Sequence, residues 1–377
     1  MPRPRSRPDA CPGALQVHEA ADGNLARVRL PGGVLTSAQI QTLSESAARW
    51  GNGELELTTR GNVQLRAVSD PAAFADRIAA AGLLPSPSHE RVRNILASPL
   101  SGRVGGQADI RDLVQQLDRA LCDAPALSGL PGRTLFTLDD GRGDVTPLAA
   151  DFGVHATTNT ESALLLAGRD TGVRLHPSEA VAALIESAHA FQAVRRTEWR
   201  LAEVPDGIDR VLERLDLSTT TDPLPAPAES PPPIGWLDQD DGFVTLGGGL
   251  PFGILDARLA EFLAAVERPV IITPWKTLLL CDLTEHMAEQ VVRVLAPMGL
   301  IFDENSPWLH ISACTGRPGC AKALADVRTD ARAALERGEV PIVGNQHWSG
   351  CDRLCGRPRS TVTDVVATAD GYLHQAT

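Results

Sequence analysis

The sequence predicts an α+β fold, and three observations predict it. Hydrophobic and polar residues alternate from Glu54 to Arg66, which is typical of a strand with one packed face. A short motif occurs twice, at Leu30–Leu35 and at Leu250–Leu255, and each copy precedes a helical stretch. The C-terminal region has the pattern of strand, loop, helix, strand and loop around four cysteines.

The repeated motif indicates an internal duplication, although chance explains so short a match equally well. The first copy, LPGGVL, precedes a predicted helix at Ser37–Ala48 and a strand that contains Leu57–Arg60. The second copy, LPFGIL, precedes a predicted helix at Asp256–Val266 and a strand that contains Ile272–Lys276. A Pro-rich stretch at 217–233 separates the two copies, and its composition predicts a linker.

The polar face of the strand predicted at Glu54–Arg66 carries Arg60, Asn62, Gln64 and Arg66. In an antiparallel sheet such a face commonly lies in water, and the pattern alone favours that structural interpretation. The functional interpretation directs these side chains into a cavity that holds an anionic ligand.

Four cysteines form a C-x5-C and a C-x3-C pair, namely Cys314, Cys320, Cys351 and Cys355. Thiolates are the ligands of iron–sulfur clusters, and four of them serve one four-iron cluster. Structural zinc sites usually place paired cysteines two to four residues apart, so the longer arm fits zinc poorly. Disulfides would require an oxidising compartment. The spacing therefore favours a [4Fe-4S] cluster over zinc or inert thiols.

Local patterns around the cysteines suit one four-ligand site. A short strand is predicted at Trp308–Ala313 and a second at Pro341–Gln346. Cys320 is predicted to begin a helix over Ala321–Arg337, whose N-terminal amides would stabilise a thiolate-bound anion. The last two cysteines are four residues apart, which places both sulfurs on one side of a helical turn.

Composition excludes several classes of protein. The chain has 377 residues and a formal net charge of −12, which disfavours nucleic acid as a partner. No apolar run approaches the length of a membrane span, and the basic, proline-broken N-terminus does not have the pattern of a secretory signal. We therefore expect a cytoplasmic location. The sequence has no G-x-G-x-x-G motif, so electrons are expected from an external donor.

On several motifs the chain resembles the nitrite/sulfite reductase family. The matching stretches are LTTRGNVQLR at 57–66, VRNIL at 92–96, LPGR at 130–133 and SGCDRLCGRP at 349–358. In that family the paired cysteines hold a [4Fe-4S] cluster beside siroheme, and basic residues contact the carboxylates of the macrocycle. The resemblance implies that Cys314, Cys320, Cys351 and Cys355 bind the cluster. It also implies tetrapyrrole-binding roles for Arg60, Arg93 and Arg133, with Asn62 and Gln64 beside them.

The resemblance also implies an architecture of two ferredoxin-like half-domains combined with α/β siroheme- and Fe–S-type domains. The expected division is a first half-domain at 11–97, a tetrapyrrole-binding domain at 98–216, the linker at 217–233, a second half-domain at 234–300 and a cluster domain at 301–377.

Two departures point to one branch of the family. Leu135 stands where the reductases have a second basic residue, and the chain is short. The stretches TPWK (Thr273–Lys276) and HISACTGRPGC (His310–Cys320) resemble the oxygen-dependent branch, which acts in aerobic cobalamin biosynthesis. That resemblance implies a monooxygenase that converts precorrin-3A to precorrin-3B by C20 hydroxylation and γ-lactone formation. Its partners would be precorrin-3A, dioxygen and an external electron donor.

The same branch implies a mononuclear non-haem iron, but the sequence contains no evident ligand triad for it. His89 with Glu90, His310 and His347 are the candidates, and single histidines are more often structural. Two alternatives remain open: a sulfite or nitrite reductase with siroheme as cofactor, and an iron–sulfur electron carrier.

Overall fold

The computed structural model describes residues 9–220, 222–225, 230–340, 344–358 and 361–376. Some predicted features lie partly outside the described residues: the basic N-terminal tail, the linker 217–233 and the strand Pro341–Gln346. The described chain contains three five-stranded sheets and one four-stranded sheet, with eight α-helices. The predicted α+β class is confirmed.

The first part of the chain consists of five strands and two helices. Its elements are β1 (His18–Ala20), β2 (Gly23–Val28), β3 (Val34–Leu35), α1 (Ser37–Trp50), β4 (Glu54–Leu57), β5 (Val63–Val68) and α2 (Pro71–Ala80). Helix α1 begins with a capping box between Thr36 and Gln39, in which each side chain accepts a hydrogen bond from the other residue's amide.

The middle part forms a sheet with the strand order β10-β9-β8-β7-β6. Its elements are β6 (Ile95–Ala97), α3 (Arg111–Cys122), β7 (Phe136–Asp139), β8 (Phe152–Ala156), β9 (Ser162–Leu166), β10 (Arg169–Leu175), α4 (Pro177–Val194) and α5 (Gly207–Leu215). Strands β6, β7 and β8 are parallel, so their carboxyl ends lie at one edge. Strand β6 pairs with β7, although the expected boundary at residue 97 places it in the first half-domain.

The third part repeats the element order of the first. Its elements are β11 (Gly235–Asp238), β12 (Val244–Gly248), β13 (Ile254–Asp256), α6 (Ala257–Ala265), β14 (Val270–Ile272), β15 (Leu278–Leu283) and α7 (Glu285–Leu295). The two copies exchange one strand each, because the sheet orders are β1-β2-β5-β4-β13 and β11-β12-β15-β14-β3. The repeated motif leads into β3 in one copy and β13 in the other. The internal duplication is therefore confirmed.

The strand exchange joins the two copies into one body. Gly33 directly precedes β3 at the crossing, and a Cβ atom built there would overlap the Ile272 carbonyl oxygen. Only glycine permits this close approach of two backbones. Helices α1 and α6 pack together, and one hydrophobic cluster contains Leu43 of the first copy with Leu263 of the second.

The last part is a sheet in the order β16-β17-β18-β19. Its elements are β16 (Ile311–Ala313), α8 (Val327–Glu336), β17 (Gln346–Ser349), β18 (Thr363–Thr368) and β19 (Gly371–Ala376). The first three strands are parallel and the last pair is antiparallel. Its small core includes Trp348, whose ring packs edge-on against Tyr372.

The prediction of a single strand over Glu54–Arg66 is wrong. The segment is a hairpin in which β4 pairs with β5, with Leu57 opposite Val63. Gly61 turns the chain with a φ of 61°. Alternation continues through the turn because facing residues have the same parity, so odd positions stay on the packed face of both strands.

The prediction of a helix beginning at Ala321 is also wrong. Helix α8 begins at Val327, where the Asp326 side chain caps it. The amides that precede it are used in turns and across the two loops, with Leu324 donating to the Gly350 carbonyl. Cys320 therefore lies outside the field of a helix N-terminus. None of the described helices is long and apolar enough to cross a membrane.

Candidate functional site

The two cysteine-bearing loops lie side by side. Cys314 directly follows β16, and its amide donates a hydrogen bond to the Trp348 carbonyl. In return the Gly350 amide donates to Cys314 Sγ at 3.2 Å. A Cβ atom built on Gly350 would lie 2.6 Å from the Ala323 Cβ, so this position requires glycine. The parallel sheet thus delivers both cysteine pairs to one place.

Three of the cysteines lie close enough to the fourth, Cys355, to affect its thiol electrostatically. Burial raises the pKa of Cys355, and the charges of Cys314, Cys351 and Cys320 raise it further. Such mutual repulsion between thiolates is what a bound metal centre relieves. Cys355 is exposed, whereas the other three are half-buried.

Among the described residues, no group of three or more His, Cys, Asp and Glu side chains could hold a metal ion in the present arrangement. This applies to the four cysteines as it does to any histidine–carboxylate set. A four-iron cage is wider than a single ion, so its four sulfurs lie farther apart than the ligands of one ion. A donor set of four thiols, three of which lie near the fourth, fits a cluster.

Two charged residues of the first sheet hold the cysteine loop in place. Arg66 on β5 donates to the Gly319 carbonyl at 2.7 Å and pairs with Asp22. Glu56 on β4 pairs with Arg328 at 2.6 Å, and Arg328 also donates to the Cys314 carbonyl. The polar face of this hairpin is therefore directed at the arm between the first two cysteines.

A cavity of about 550 Å³ lies beside the cysteine loops. Its lining residues come from strands and loops near each of the four sheets. Its wall is part apolar and part basic, and includes Arg60, Leu96, Leu135, Lys276, Gly356 and Arg357. Gly356 and Arg357 follow Cys355 directly in the sequence, so the cavity wall includes part of the second cysteine loop. Its size is within the range of ligand-binding cavities.

Two cations in the cavity wall have no carboxylate partner among the described hydrogen bonds and ion pairs. Arg60 donates to the Gly132 and Arg133 carbonyls, and burial together with nearby Arg200 lowers its pKa to about 10. Burial also lowers the pKa of Lys276, whose ammonium lies beside Gly356. Both groups therefore place positive charge at the cavity wall.

The structure does not bring the other predicted ligand-binding residues to the cavity wall. Arg93 is buried and forms a bidentate ion pair with Asp118, at 2.6 and 2.7 Å. Arg133 is exposed, with its guanidinium over the ring of Trp199. Its role in the site is indirect, because its carbonyl accepts from Arg60.

Asn62 and Gln64 are used internally. The Asn62 side chain accepts from the Leu30 amide and donates to Asn94, while Gln64 accepts from Arg27 and donates to Glu56. Their polar atoms are satisfied by protein, which does not support direct contact with a ligand. They position the hairpin that carries Arg60.

One buried cation was missed by the sequence reasoning. Arg29 follows β2, is only 2% exposed, and none of its three guanidinium nitrogens has a hydrogen-bond partner among the described residues. Burial and the neighbouring Arg27 lower its pKa to about 9, so it stays protonated at neutral pH. The alternation of ARVRL could have placed both arginines on the face that carries Gln64, since Arg27 lies opposite Gln64.

The histidines do not form a ligand set for a mononuclear iron. His89 interacts with Ser86 and the Ala124 carbonyl, and His310 with Asn345. His347 interacts with Ser312, and burial lowers its pKa to about 4. Because no suitable group exists among the residues described, a mononuclear iron does not fit this part of the structure.

Comparison with known families agrees with this geometry. Residues 17–74 match the Nitrite/Sulfite reductase ferredoxin-like half domain. The matched segment includes β2, the first copy of the repeated motif and the hairpin that carries Arg60. The resemblance predicted from the sequence motifs is confirmed.

Similar proteins match along most of the chain. A precorrin-3B synthase from Sinorhizobium sp is 28% identical, over 97% of this chain and 82% of the relative. A ferredoxin–nitrite reductase from Synechococcus elongatus is 26% identical, over 90% of this chain and 75% of the relative. The NirA protein of Mycobacterium tuberculosis has the same fold, with a TM-score of 0.76 over 93% of this chain and 73% of NirA at 17% identity.

Proposed function

We propose that this chain is an oxidoreductase that binds a polycarboxylate tetrapyrrole in the cavity beside Cys355 and uses a [4Fe-4S] cluster held by the four cysteines. The reaction that we propose is the oxygen-dependent conversion of precorrin-3A to precorrin-3B, with C20 hydroxylation and γ-lactone formation. One observation carries the proposal: Arg60 and Lys276, which have no carboxylate partner among the described residues, line a cavity whose wall also includes Gly356, the residue after Cys355.

The chemistry of the wall suits a flat, apolar macrocycle with acidic side chains. Each guanidinium–carboxylate hydrogen bond contributes about 1.5–3 kcal/mol, and none of the described carboxylates is hydrogen-bonded to Arg60 and competes for it. Leu96 and Leu135 are buried and offer apolar contact to the ring. In this arrangement Arg60 and Lys276 orient the substrate through its carboxylates.

The four cysteines would hold the cluster, with Arg66 and Glu56 fixing the loop that carries the first two. When bound, the cluster would supply single electrons to the site. The overall reaction inserts one atom of dioxygen into the tetrapyrrole and reduces the other to water with two electrons and two protons. The electrons come from an external donor. No step is assigned to a mononuclear iron, since the described residues offer it no ligands.

The precorrin-3B synthase among the similar proteins supports a substrate over a cofactor role for the tetrapyrrole. Leu135 gives independent support: it lies in the cavity wall, where the resemblance leads us to expect a basic residue in siroheme reductases. A cytoplasmic location belongs to the same proposal, because a reducing compartment preserves the thiol ligands.

The similar nitrite reductase favours a second candidate, a siroheme-dependent sulfite or nitrite reductase. There the same cavity would hold siroheme as a resident cofactor. A third candidate, an electron carrier, leaves the cations of the cavity unexplained. The visible spectrum of purified protein separates the first two, because siroheme bands would rule out the substrate role.

The decisive experiment is anaerobic purification, metal analysis and incubation with precorrin-3A, with and without isotopically labelled dioxygen. The proposal expects a product only with dioxygen, carrying one labelled oxygen atom. Arg60→Gln should weaken substrate binding, while Arg133→Gln should have a smaller effect because only its carbonyl contacts Arg60. Product formation without dioxygen would contradict the monooxygenase assignment.

A further inference from the structure

Asp144 is a buried carboxyl group in the wall of the cavity. It lies in the loop between β7 and the short 3-10 helix Thr146–Leu148, at the carboxyl edge of the parallel strands β6 and β7. Its side chain is 6% exposed, and it lines the cavity together with Leu96, Leu135 and Leu148. A buried carboxyl group in the wall of a cavity needs a chemical explanation.

Two other carboxylates of this loop each accept several hydrogen bonds from the protein. Asp139 accepts hydrogen bonds from the amides of Gly143 and Thr146 and from the Thr146 hydroxyl. Asp140 accepts three hydrogen bonds from the Arg142 guanidinium, at 2.6, 2.9 and 3.1 Å. The hydrogen bonds to Asp139, together with His155, lower the pKa of that carboxyl group.

Asp144 has the poorest environment for a negative charge. Its partners among the described residues are the Ser98 hydroxyl at 2.6 Å and Arg142 at 3.7 Å, and that arginine is already bound to Asp140. A loop with three buried carboxyl groups and one arginine retains a proton most readily on the group with fewest donors. That group is Asp144.

Neighbouring charges agree with this assignment. Burial raises the pKa of Asp144 to about 7; Ser98 lowers it, Asp139 and Asp140 raise it, and Arg142 lowers it. His155 on β8 faces Asp139 at 3.4 Å. Elsewhere in the cavity wall lie Arg60, Lys276, Arg357 and His310.

We propose that Asp144 is a substrate-binding residue that donates its carboxyl proton in a hydrogen bond to a carboxylate side chain of the bound tetrapyrrole. The inference rests on the proposed function and adds to it a specific contact and a pH dependence. Arg60 and Lys276 attract carboxylates at any pH near neutrality, whereas Asp144 accepts one only while it is protonated. Ionised Asp144 would repel the same group across the cavity.

The test measures binding of uroporphyrin III, a stable porphyrin with acetate and propionate side chains, by fluorescence from about pH 6 to about pH 9. For the wild-type protein we expect the affinity to fall about tenfold per pH unit above neutrality, because binding requires one proton. Asp144→Asn keeps a hydrogen-bond donor but cannot ionise. It should bind as the wild type does at about pH 6 and lose most of this decline.

A second variant keeps the test independent of how well Asp144→Asn folds. Ser98→Ala removes the hydroxyl that stabilises ionised Asp144, so the decline should move to higher pH. Identical pH profiles in the wild type and both variants would overturn the inference while leaving Arg60-dependent binding, and hence the proposed function, intact. Absence of uroporphyrin binding at every pH would overturn both.

Discussion

Gly61 and Lys276 occupy the same position in the hairpins of the two half-domains. The Gly61 amide donates to the Thr58 carbonyl at 3.1 Å, and the Lys276 amide donates to the Thr273 carbonyl at 3.2 Å. Their φ angles are 61° and 62°. Glycine adopts this left-handed conformation freely, whereas a lysine costs on the order of 1 kcal/mol. A strained residue in a cavity wall points to a function for its side chain.

We expect Lys276→Gly to separate stability from binding. Removing the strain should leave the free energy of unfolding unchanged or raise it by up to about 1 kcal/mol. Loss of the ammonium group should weaken uroporphyrin binding about tenfold or more, since a charge-assisted hydrogen bond contributes about 1.5–3 kcal/mol. Denaturant unfolding and fluorescence titration measure the two quantities. Unchanged affinity would show that the lysine does not bind the ligand.

The reverse substitution, Gly61→Lys, is the matched control. A Cβ atom at this position would lie 3.1 Å from the Ile272 carbonyl oxygen and 3.2 Å from Leu96 Cδ2. Backbone strain and crowding together should destabilise the protein by about 1–3 kcal/mol. The two hairpins would then be equivalent in backbone but specialised in side chain.

The cysteine assignment predicts a selective loss of iron. Cys351→Ser should abolish the cluster and the activity together, because a four-iron cluster needs all four thiolates. Cys281→Ser is a suitable comparison, since Cys281 is buried and burial raises its pKa to about 11, which keeps it a thiol. Iron and sulfide analysis after anaerobic purification measures the outcome. Full iron content in Cys351→Ser would refute the assignment.

We expect the replacement of Arg29 to raise the stability of the ligand-free protein and to lower its affinity for the ligand. A buried guanidinium without hydrogen-bond partners costs free energy, so Arg29→Met should stabilise the ligand-free protein by about 1–3 kcal/mol. If the charge serves ligand binding, the same variant should bind uroporphyrin more weakly. Thermal unfolding with and without the porphyrin measures both effects. A variant that is less stable and binds normally would indicate a purely structural arginine.

The sequence alone was sufficient for the features that depend on local chemistry. The four cysteines, the repeated motif and the arginine at position 60 are visible because residue type and spacing identify them. The hairpin turn at Gly61 was missed because residues that face each other across it are both odd-numbered or both even-numbered, which preserves the alternation. The exchange of β3 and β13, and the burial of Arg29, depend on contacts between distant segments. No local pattern encodes such contacts.

The loop that carries Asp144 depends on Asp139, which predicts an acid-sensitive element. Burial alone would raise the pKa of Asp139, but His155 and the amides of Gly143 and Thr146 outweigh it and lower the pKa to about 2. A depressed folded-state pKa contributes stability above about pH 4, and this contribution is lost as the pH falls through about 2. Its size is about 2 kcal/mol.

Asp139→Asn should lose that stability at neutral pH and show a correspondingly smaller loss on acidification, measured by denaturant unfolding across this range. The exposed Asp112→Asn should behave as the wild type. Equal acid sensitivity in Asp139→Asn and the wild type would mean that other carboxylates control the acid response.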